Sequence, residues 1–348
     1  MVINQKNLVA NGENFSEISL TNGLGSTLVL CSFGASIRDF MVADKFGKVK
    51  SILLFPESYE NYISPEDYHG KTLGRTAGRV AGATYTLDGQ TAYLDKNSAD
   101  VDNLHGGYKG FNAKNFESSI VERADYVDVI FNALSPEGEG GHIGNVNVDI
   151  TYRFYEKLNT VDIIYSASAD KSVLLNLTNH AYFNLSGNLD KVYDTEIFIN
   201  ANVYGKTNER YIITEKLPVD LVTDFTKPKT IGEHLFDEKL QAHSYGYDTQ
   251  YFLNEEDFSL VSASGYYKET GLKLNVYTTY PVINFYTNNY PCEHLLANGV
   301  KDEKYMAFCL ECQFHPDGVH QEKTRNGIVR KGEKYFEKIR FEILTDKE

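Results

Sequence analysis

The sequence predicts an all-β fold. Short runs in which apolar and polar residues alternate recur along the chain, and a period of two is typical of strands that bury one face. Tyrosine (25) and phenylalanine (20), which favour strands, are abundant, whereas proline (8) is scarce. Glycine (27) recurs where turns would separate the runs. Many short strands with little helix indicate a sandwich or barrel and argue against a βαβ fold.

Seven alternating runs are the predicted strands, at residues 26–33, 126–132, 146–154, 160–166, 196–199, 272–279 and 339–344. Asp88-Gly89 predicts a hairpin turn. One helix is predicted over residues 234–240, with Thr230 as its N-cap and Glu233 completing a capping box. Because we see no linker, repeat or low-complexity tract, residues 1–348 are predicted to form one domain.

Charge and composition narrow the classes of partner. A net charge of -14 argues against nucleic acid and anionic membranes and favours a neutral small ligand. The first twenty residues lack the pattern of a signal peptide, and no apolar run approaches the roughly 18 residues that span a membrane, so a cytoplasmic location is expected. Cys309 and Cys312 would point to opposite faces of a strand, and no second C-x-x-C completes a zinc site, so no metal is expected.

Two stretches place ionisable groups on predicted strands. In residues 308–314, alternation puts Glu311 on the polar face of a half-buried strand, where a catalytic carboxylate could be held; a solvated glutamate is the alternative. In residues 175–185, one face carries only hydrogen-bonding side chains, including His180. That row suits a cleft for a hydroxyl-rich ligand, and a histidine satisfied within the core is the alternative.

Three further stretches contain polar residues whose roles the local pattern leaves open. His105 precedes two glycines that would allow the backbone to approach a ligand closely, or it lies in an ordinary turn. Arg75 and Arg79 flank a glycine-containing segment that lacks the spacing of a phosphate loop. Asp248 could form an Asx turn or bind a ligand.

Taken in order, these stretches resemble the aldose 1-epimerase (galactose mutarotase) family over nearly the whole chain. The most specific match is the T-N-H-x-Y-F-N-L signature at residues 178–185. The other matches are the "GA" strand at 33–36, GR-x-A-x-R at 74–80, LHGG at 103–107, G-x-D at 246–248, F-Y-T at 285–287, L-E-x-Q at 310–313 and, without its proline, P-G-E at 331–333.

The resemblance implies a single large antiparallel β-sandwich with a sugar in an open cleft and no cofactor. Glu311 would be the catalytic base and His180 the catalytic acid of an enzyme that interconverts the α and β anomers of galactose or glucose. The substrate-binding residues would be His105, Asp248, Arg75 and Asn284. Alternatives are an epimerase for a phosphorylated hexose or a disaccharide, and a non-catalytic sugar-binding protein. The oligomeric state stays open between monomer and dimer.

The chain also departs from the family pattern. Gly78 stands where many members have asparagine, Thr249-Gln250 where His-Asn is common, and Asn284 where glutamine is frequent. These departures put the preferred sugar in doubt more than the reaction, because the expected acid and base are both present.

Overall fold

The computed structural model describes residues 1–187 and 190–346, which form 27 strands, three short α-helices and five 3₁₀ turns. In chain order the strands are β1 (Val2–Ala10), β2 (Glu13–Thr21), β3 (Thr27–Cys31), β4 (Ser36–Ala43), β5 (Val49–Ser51), β6 (Thr72–Leu73), β7 (Arg79–Val80), β8 (Thr84–Leu87), β9 (Gln90–Tyr93), β10 (Asn103–Leu104), β11 (Glu117–Glu122), β12 (Tyr126–Ser135), β13 (Val146–Tyr155), β14 (Thr160–Ala169), β15 (Val173–Leu174), β16 (Thr178–Asn179), β17 (Glu196–Ile199), β18 (Val203–Thr207), β19 (Ile213–Pro218), β20 (Lys229–Thr230), β21 (Asp248–Phe252), β22 (Ala263–Tyr267), β23 (Leu272–Thr278), β24 (Val282–Tyr286), β25 (Cys309–Gln313), β26 (Ile328–Val329) and β27 (Lys334–Thr345). The helices are α1 (Tyr59–Tyr62), α2 (Glu238–Ser244) and α3 (Gly318–Gln321), and the 3₁₀ turns are Ala81–Ala83, Phe111–Ala113, Glu139–Gly141, Val192–Asp194 and Ile231–Glu233.

The strands form an antiparallel β-sandwich, as the sequence predicts. The largest sheet has nine strands in the order β11-β12-β13-β14-β27-β23-β22-β17-β20. A five-stranded sheet contains β1 to β5 in sequence order, and a second has the order β19-β18-β21-β24-β25. Four further sheets have two strands each: β7 with β10, β15 with β26, β6 with β16, and β8 with β9. The second five-stranded sheet is called the site sheet below.

A continuous apolar core joins the three large sheets. Alternate residues of each strand contribute to it, as expected for sheets that bury one face. Its members include Leu30 and Phe40 from the first five-stranded sheet, Ile150, Ile163 and Ile339 from the nine-stranded sheet, and Tyr251, Phe285 and Leu310 from the site sheet. The opposite face of the site sheet is therefore free to carry polar side chains.

Most of the local predictions are confirmed. All seven predicted runs fall on strands, and β8 and β9 form the hairpin with Asp88 and Gly89 at φ of 49° and 79°, the left-handed geometry that an Asp-Gly turn provides. The predicted helix was wrong in position. Thr230 makes no capping hydrogen bond and precedes a single 3₁₀ turn, whereas α2 starts after Asp237, whose side chain accepts from the Lys239 amide. Among the described residues, no helix is long and apolar enough to cross a membrane.

Candidate active site

A cavity of about 240 Å³ lies against the polar face of the site sheet. Three adjacent strands each place two side chains in its wall: Asp248 and Gln250 from β21, Asn284 and Tyr286 from β24, and Glu311 and Gln313 from β25. The intervening residues, such as Phe285, Leu310 and Cys312, enter the core. The alternation predicted around Glu311 is thus confirmed, and it extends to two neighbouring strands.

Strand register fixes which of these side chains meet. Gln250 pairs with Asn284, and Asn284 pairs with Glu311, so the three residues form one row across β21, β24 and β25. Side chains directly opposite each other in an antiparallel pair lie close enough for direct contact. Asn284 consequently contacts both neighbours, donating to Glu311 Oε1 at 2.8 Å and accepting from Gln250 at 3.1 Å.

Glu311 is a buried carboxyl group with a strongly raised pKa. Its side chain is 2% exposed, and burial raises its pKa to about 8 because desolvation penalises the charged form. The hydrogen bond from Asn284 and the positive charge of Arg79 oppose that rise, while the negative charge of Asp248 adds to it. A carboxyl group with a pKa near neutrality is suited to exchange protons with a substrate.

His180 lies directly after β16, with its backbone bonded to Gly70 and Lys71. Its ring stacks on Tyr182, with centroids 4.7 Å apart, and its Nε2 lies 3.7 Å from Glu311 Oε1. Burial lowers the pKa of His180 to about 3, and the charge of His69 contributes to the same direction. Burial therefore favours the uncharged form of both His180 and Glu311.

His105 reaches the same cavity from the loop after β10, in a left-handed conformation with φ of 54°. The Gly78 amide donates to its Nδ1 at 3.2 Å, so in the neutral ring the proton resides on Nε2, which is free to donate. Burial and the neighbouring His180 and Arg79 hold the pKa of His105 well below its usual value. Gly78 has φ of 69°, and a Cβ there would lie 2.9 Å from the Pro316 ring, so a side chain at this position would be crowded.

Arg75 is the one predicted site residue that the structure does not bring to the cavity. Its guanidinium is 2% exposed and donates to Ser135 and to the carbonyls of Ser135, Pro136, Ile143 and Gly144. The expectation that Arg75 binds the sugar is therefore corrected, because these bonds direct it into the protein. Arg79 lines the cavity instead, with its guanidinium 4.5 Å from the centre of the Tyr211 ring.

The polar row at residues 175–185 also differs from its prediction. Only Thr178–Asn179 of this stretch is a strand, and just two members of the row, His180 and Tyr182, line the cavity. Asn176 and Asn184 instead bond to backbone groups on neighbouring segments. Their row satisfies buried backbone groups as well as forming the cleft.

Several cavity residues were not among the predicted site residues. They are Arg79, Gln250, Gln313 and the aromatic residues Tyr68, Tyr211, Tyr286 and Tyr290. Alternation placed Gln313 on the same strand face as Glu311, and Arg79 and Gln250 stand in motifs that the sequence analysis singled out. The position of the four tyrosines depends on how distant segments meet, and that information is absent from local patterns.

Two groups of described side chains lie close enough to share a metal ion. His105, His180 and Glu311 form one group, and Asp67, His69 and Cys292 form the other, with the ligand atoms in each group within 4.8 Å of one another. In the second group the Lys71 ammonium lies 3.5 Å from Asp67, which places a positive charge where an ion would bind. That no metal takes part stays a prediction.

Comparisons with known proteins agree with this geometry. The sequence profile of the aldose 1-epimerase family matches residues 16–342. Human galactose mutarotase is 33% identical, with 88% of this chain and 87% of that protein aligned, and the Escherichia coli aldose 1-epimerase is 30% identical over 97% and 98%. A solved structure of an aldose epimerase homologue from C. elegans superposes with a TM-score of 0.86 at 25% identity, covering 95% of this chain and 99% of that one. The chain belongs to the aldose 1-epimerase family.

Proposed function

We propose that this protein interconverts the α and β anomers of a free hexose, with Glu311 as general base and His180 as general acid. The observation that carries this assignment is the 3.7 Å separation of His180 Nε2 and Glu311 Oε1 in the wall of one cleft. The family membership and the relatives named galactose mutarotase support galactose as a substrate.

The side-by-side arrangement fits the two oxygens that react. Opening the ring removes a proton from the anomeric hydroxyl and delivers one to the ring oxygen, and both oxygens are bonded to the same carbon. A base and an acid next to each other on one wall can therefore serve both at once. The aldehyde then turns about its bond to the next carbon, and closure on the other face gives the second anomer.

Glu311 and His180 together hold one proton over a wide pH range. With pKa values of about 8 and about 3, the empty pair contains a protonated glutamate and a neutral imidazole at neutral pH. The reactive form, a carboxylate beside an imidazolium, contains the same single proton in the other position. Substrate oxygens that bond to the pair would favour this charged form, because hydrogen bonds to a charged group stabilise it.

The remaining cleft groups would seat the sugar. His105 offers an Nε2 proton, Arg79 offers a guanidinium, and Asp248 offers a carboxylate that is half-buried at the cleft. Together these donors and acceptors match a polyhydroxylated ring. We propose Arg79 in the role that the sequence interpretation gave to Arg75.

A phosphorylated substrate is less well supported. The described lining residues contain one arginine and no lysine but three acidic residues, Glu66, Asp248 and Glu311. This wall offers a phosphate dianion one positively charged partner, Arg79, and would repel it through the carboxylates of Glu66 and Asp248. The cavity also lies below the roughly 300–1,000 Å³ typical of sites for drug-sized ligands, which favours a monosaccharide over a disaccharide.

The test is polarimetric. Wild-type protein should accelerate the approach of fresh α-D-galactose and α-D-glucose to anomeric equilibrium, and Glu311→Gln should reduce kcat by about 10²–10⁴-fold, the contribution typical of one general acid–base group. The variant should remain folded and bind galactose as the wild type does. Sugar binding without acceleration by the wild type would instead indicate a non-catalytic sugar-binding protein.

The proposal extends to the assembly and its location. We infer one domain over the chain, supported by the continuous core shared by the three large sheets. Three of the four cysteines are buried free thiols, which suits a reducing, cytoplasmic environment. Size-exclusion chromatography with light scattering would distinguish a monomer from a dimer, and cell fractionation would test the location.

A further inference from the structure

Asn284 has its hydrogen-bonding groups occupied by protein. Its Nδ2 donates to Glu311 Oε1 at 2.8 Å and to Asp248 Oδ1 at 3.2 Å, which uses both amide hydrogens. Its Oδ1 accepts from Gln250 Nε2 at 3.1 Å. Because the Asp248 carboxylate can only accept, the amide must direct its nitrogen toward the two acidic side chains, and this fixes its orientation.

The orientation of Asn284 in turn fixes that of Gln250. Only the Gln250 nitrogen can donate to Asn284 Oδ1, so the Gln250 oxygen is left on the other side of its amide group. That oxygen is buried and has no hydrogen-bond partner among the described residues, in a side chain that is 6% exposed and lines the cleft. A buried carbonyl oxygen without a donor is unfavourable by about 1–3 kcal/mol, so this position favours a ligand that brings a hydroxyl.

We propose that Gln250 is the amide that binds a sugar hydroxyl, and that Asn284 is a positioning residue that holds the Asp248 and Glu311 carboxylates. The proposal rests on the proposed function and changes the role expected for Asn284, which was substrate binding. The hydrogen bonds follow the cross-strand row: Gln250 donates to Asn284, and Asn284 donates to Glu311. The Gln250 oxygen accepts from a ligand group that donates a hydrogen bond, and on a sugar that group is a hydroxyl.

Kinetic constants distinguish the binding role of Gln250 from the positioning role of Asn284. Gln250→Met keeps the length of the side chain and removes the acceptor, so KM for galactose should rise roughly 3- to 10-fold, the effect of one neutral hydrogen bond, with kcat changed less than about 3-fold. Asn284→Ala frees Glu311 to move, so kcat should fall on the order of 10- to 100-fold with a smaller change in KM. The same pattern of change in both variants would overturn the division of roles.

A panel of monodeoxy galactoses identifies the contact. For the one sugar that lacks the hydroxyl bound by Gln250, wild type and Gln250→Met should have equal KM values, while the other deoxy sugars should retain the difference. A KM ratio that is identical for every sugar, or no change in KM with galactose, would overturn the assignment. Gln250→Leu serves as a second variant if the methionine variant folds poorly.

Gln241→Met is the matched control. Gln241 lies on α2 outside the cleft and donates to the Leu235 carbonyl, so its replacement should leave both kinetic constants unchanged. If the wild type accelerates no sugar, the catalytic proposal fails but calorimetric binding of galactose and glucose still tests Gln250. Equal affinities in wild type and Gln250→Met, or no sugar binding at all, would then overturn the inference.

Discussion

At the scale of single residues, two arginines four positions apart have different environments. Arg75 has every guanidinium nitrogen bonded inside the protein, whereas Arg79 faces the cleft. Arg75→Met should lower the free energy of unfolding by about 3 kcal/mol or more, because several buried carbonyls lose a charged donor. Arg79→Met should change stability by less than about 1 kcal/mol and raise KM. Urea denaturation and polarimetry on both variants measure these effects, and the reverse pattern would show that Arg75 binds the sugar.

The shared proton of Glu311 and His180 predicts a pH profile. The proposed acid–base pair holds one proton, which is lost as pH rises through the Glu311 pKa of about 8. We expect kcat/KM to be level from about pH 5 to about pH 7 and to fall about tenfold per pH unit well above pH 8. Polarimetry in buffers from pH 5 to 10 measures this profile. A rate that keeps rising through pH 10 would contradict it.

The pH dependence of the free energy of unfolding provides an independent check on the pKa of Glu311. The folded-state pKa of Glu311 is raised above its ordinary value of 4.5, so its contribution to stability is complete below pH 4.5 and is lost as pH rises through about 8. Glu311→Gln cannot ionise. The free energy of unfolding of this variant, relative to wild type, should therefore increase as pH rises from about 4.5 to about 8 and should level off above pH 8, which urea denaturation across this range measures.

At the scale of secondary-structure elements, mutation of the two candidate N-cap residues tests where α2 begins. Asp237 accepts from the Lys239 amide and precedes the helix, while Thr230 makes no capping bond. Asp237→Ala should lower the free energy of unfolding by about 0.5–2 kcal/mol, and Thr230→Ala should have a smaller effect. Thermal unfolding of both variants measures the difference, and equal effects would refute the assigned boundary.

The same region shows what local sequence could and could not determine. Thr230 and Glu233 have the spacing of a capping box, yet Thr230 pairs in β20 with Glu196, so sheet formation takes precedence over helix formation. Strands were predicted well because each buries one face against the core. Helix α2 is short and its position depends on tertiary packing, which residue spacing does not record.

At the scale of the whole molecule, the common core predicts cooperative unfolding. Apolar residues from all three large sheets belong to one cluster. Urea unfolding followed by circular dichroism and tyrosine fluorescence should give one transition with coincident midpoints. Two separate transitions would show that the chain contains independently folding parts.

The candidate site was predictable to the extent that short motifs carry it. Glu311, His180, His105 and Asp248 stand in local patterns, and the structure brings all four to one cavity. The sequence marked Gln250 only as a departure from the family pattern, because its pairing with Asn284 across β21 and β24 is not visible in local sequence. The choice between Arg75 and Arg79 likewise required the path of the chain, since both arginines belong to the same motif.

The adjacent positions of Glu311 and His180 have a consequence for turnover. In the proposed mechanism, ring opening moves one proton onto the glutamate and one off the histidine, so the total charge of the site is the same before and after the step. Closure on either face reverses both transfers. The proposed acid–base pair is thus regenerated without exchanging a proton with bulk water, and the cleft needs no proton relay to the solvent in either direction of the reaction.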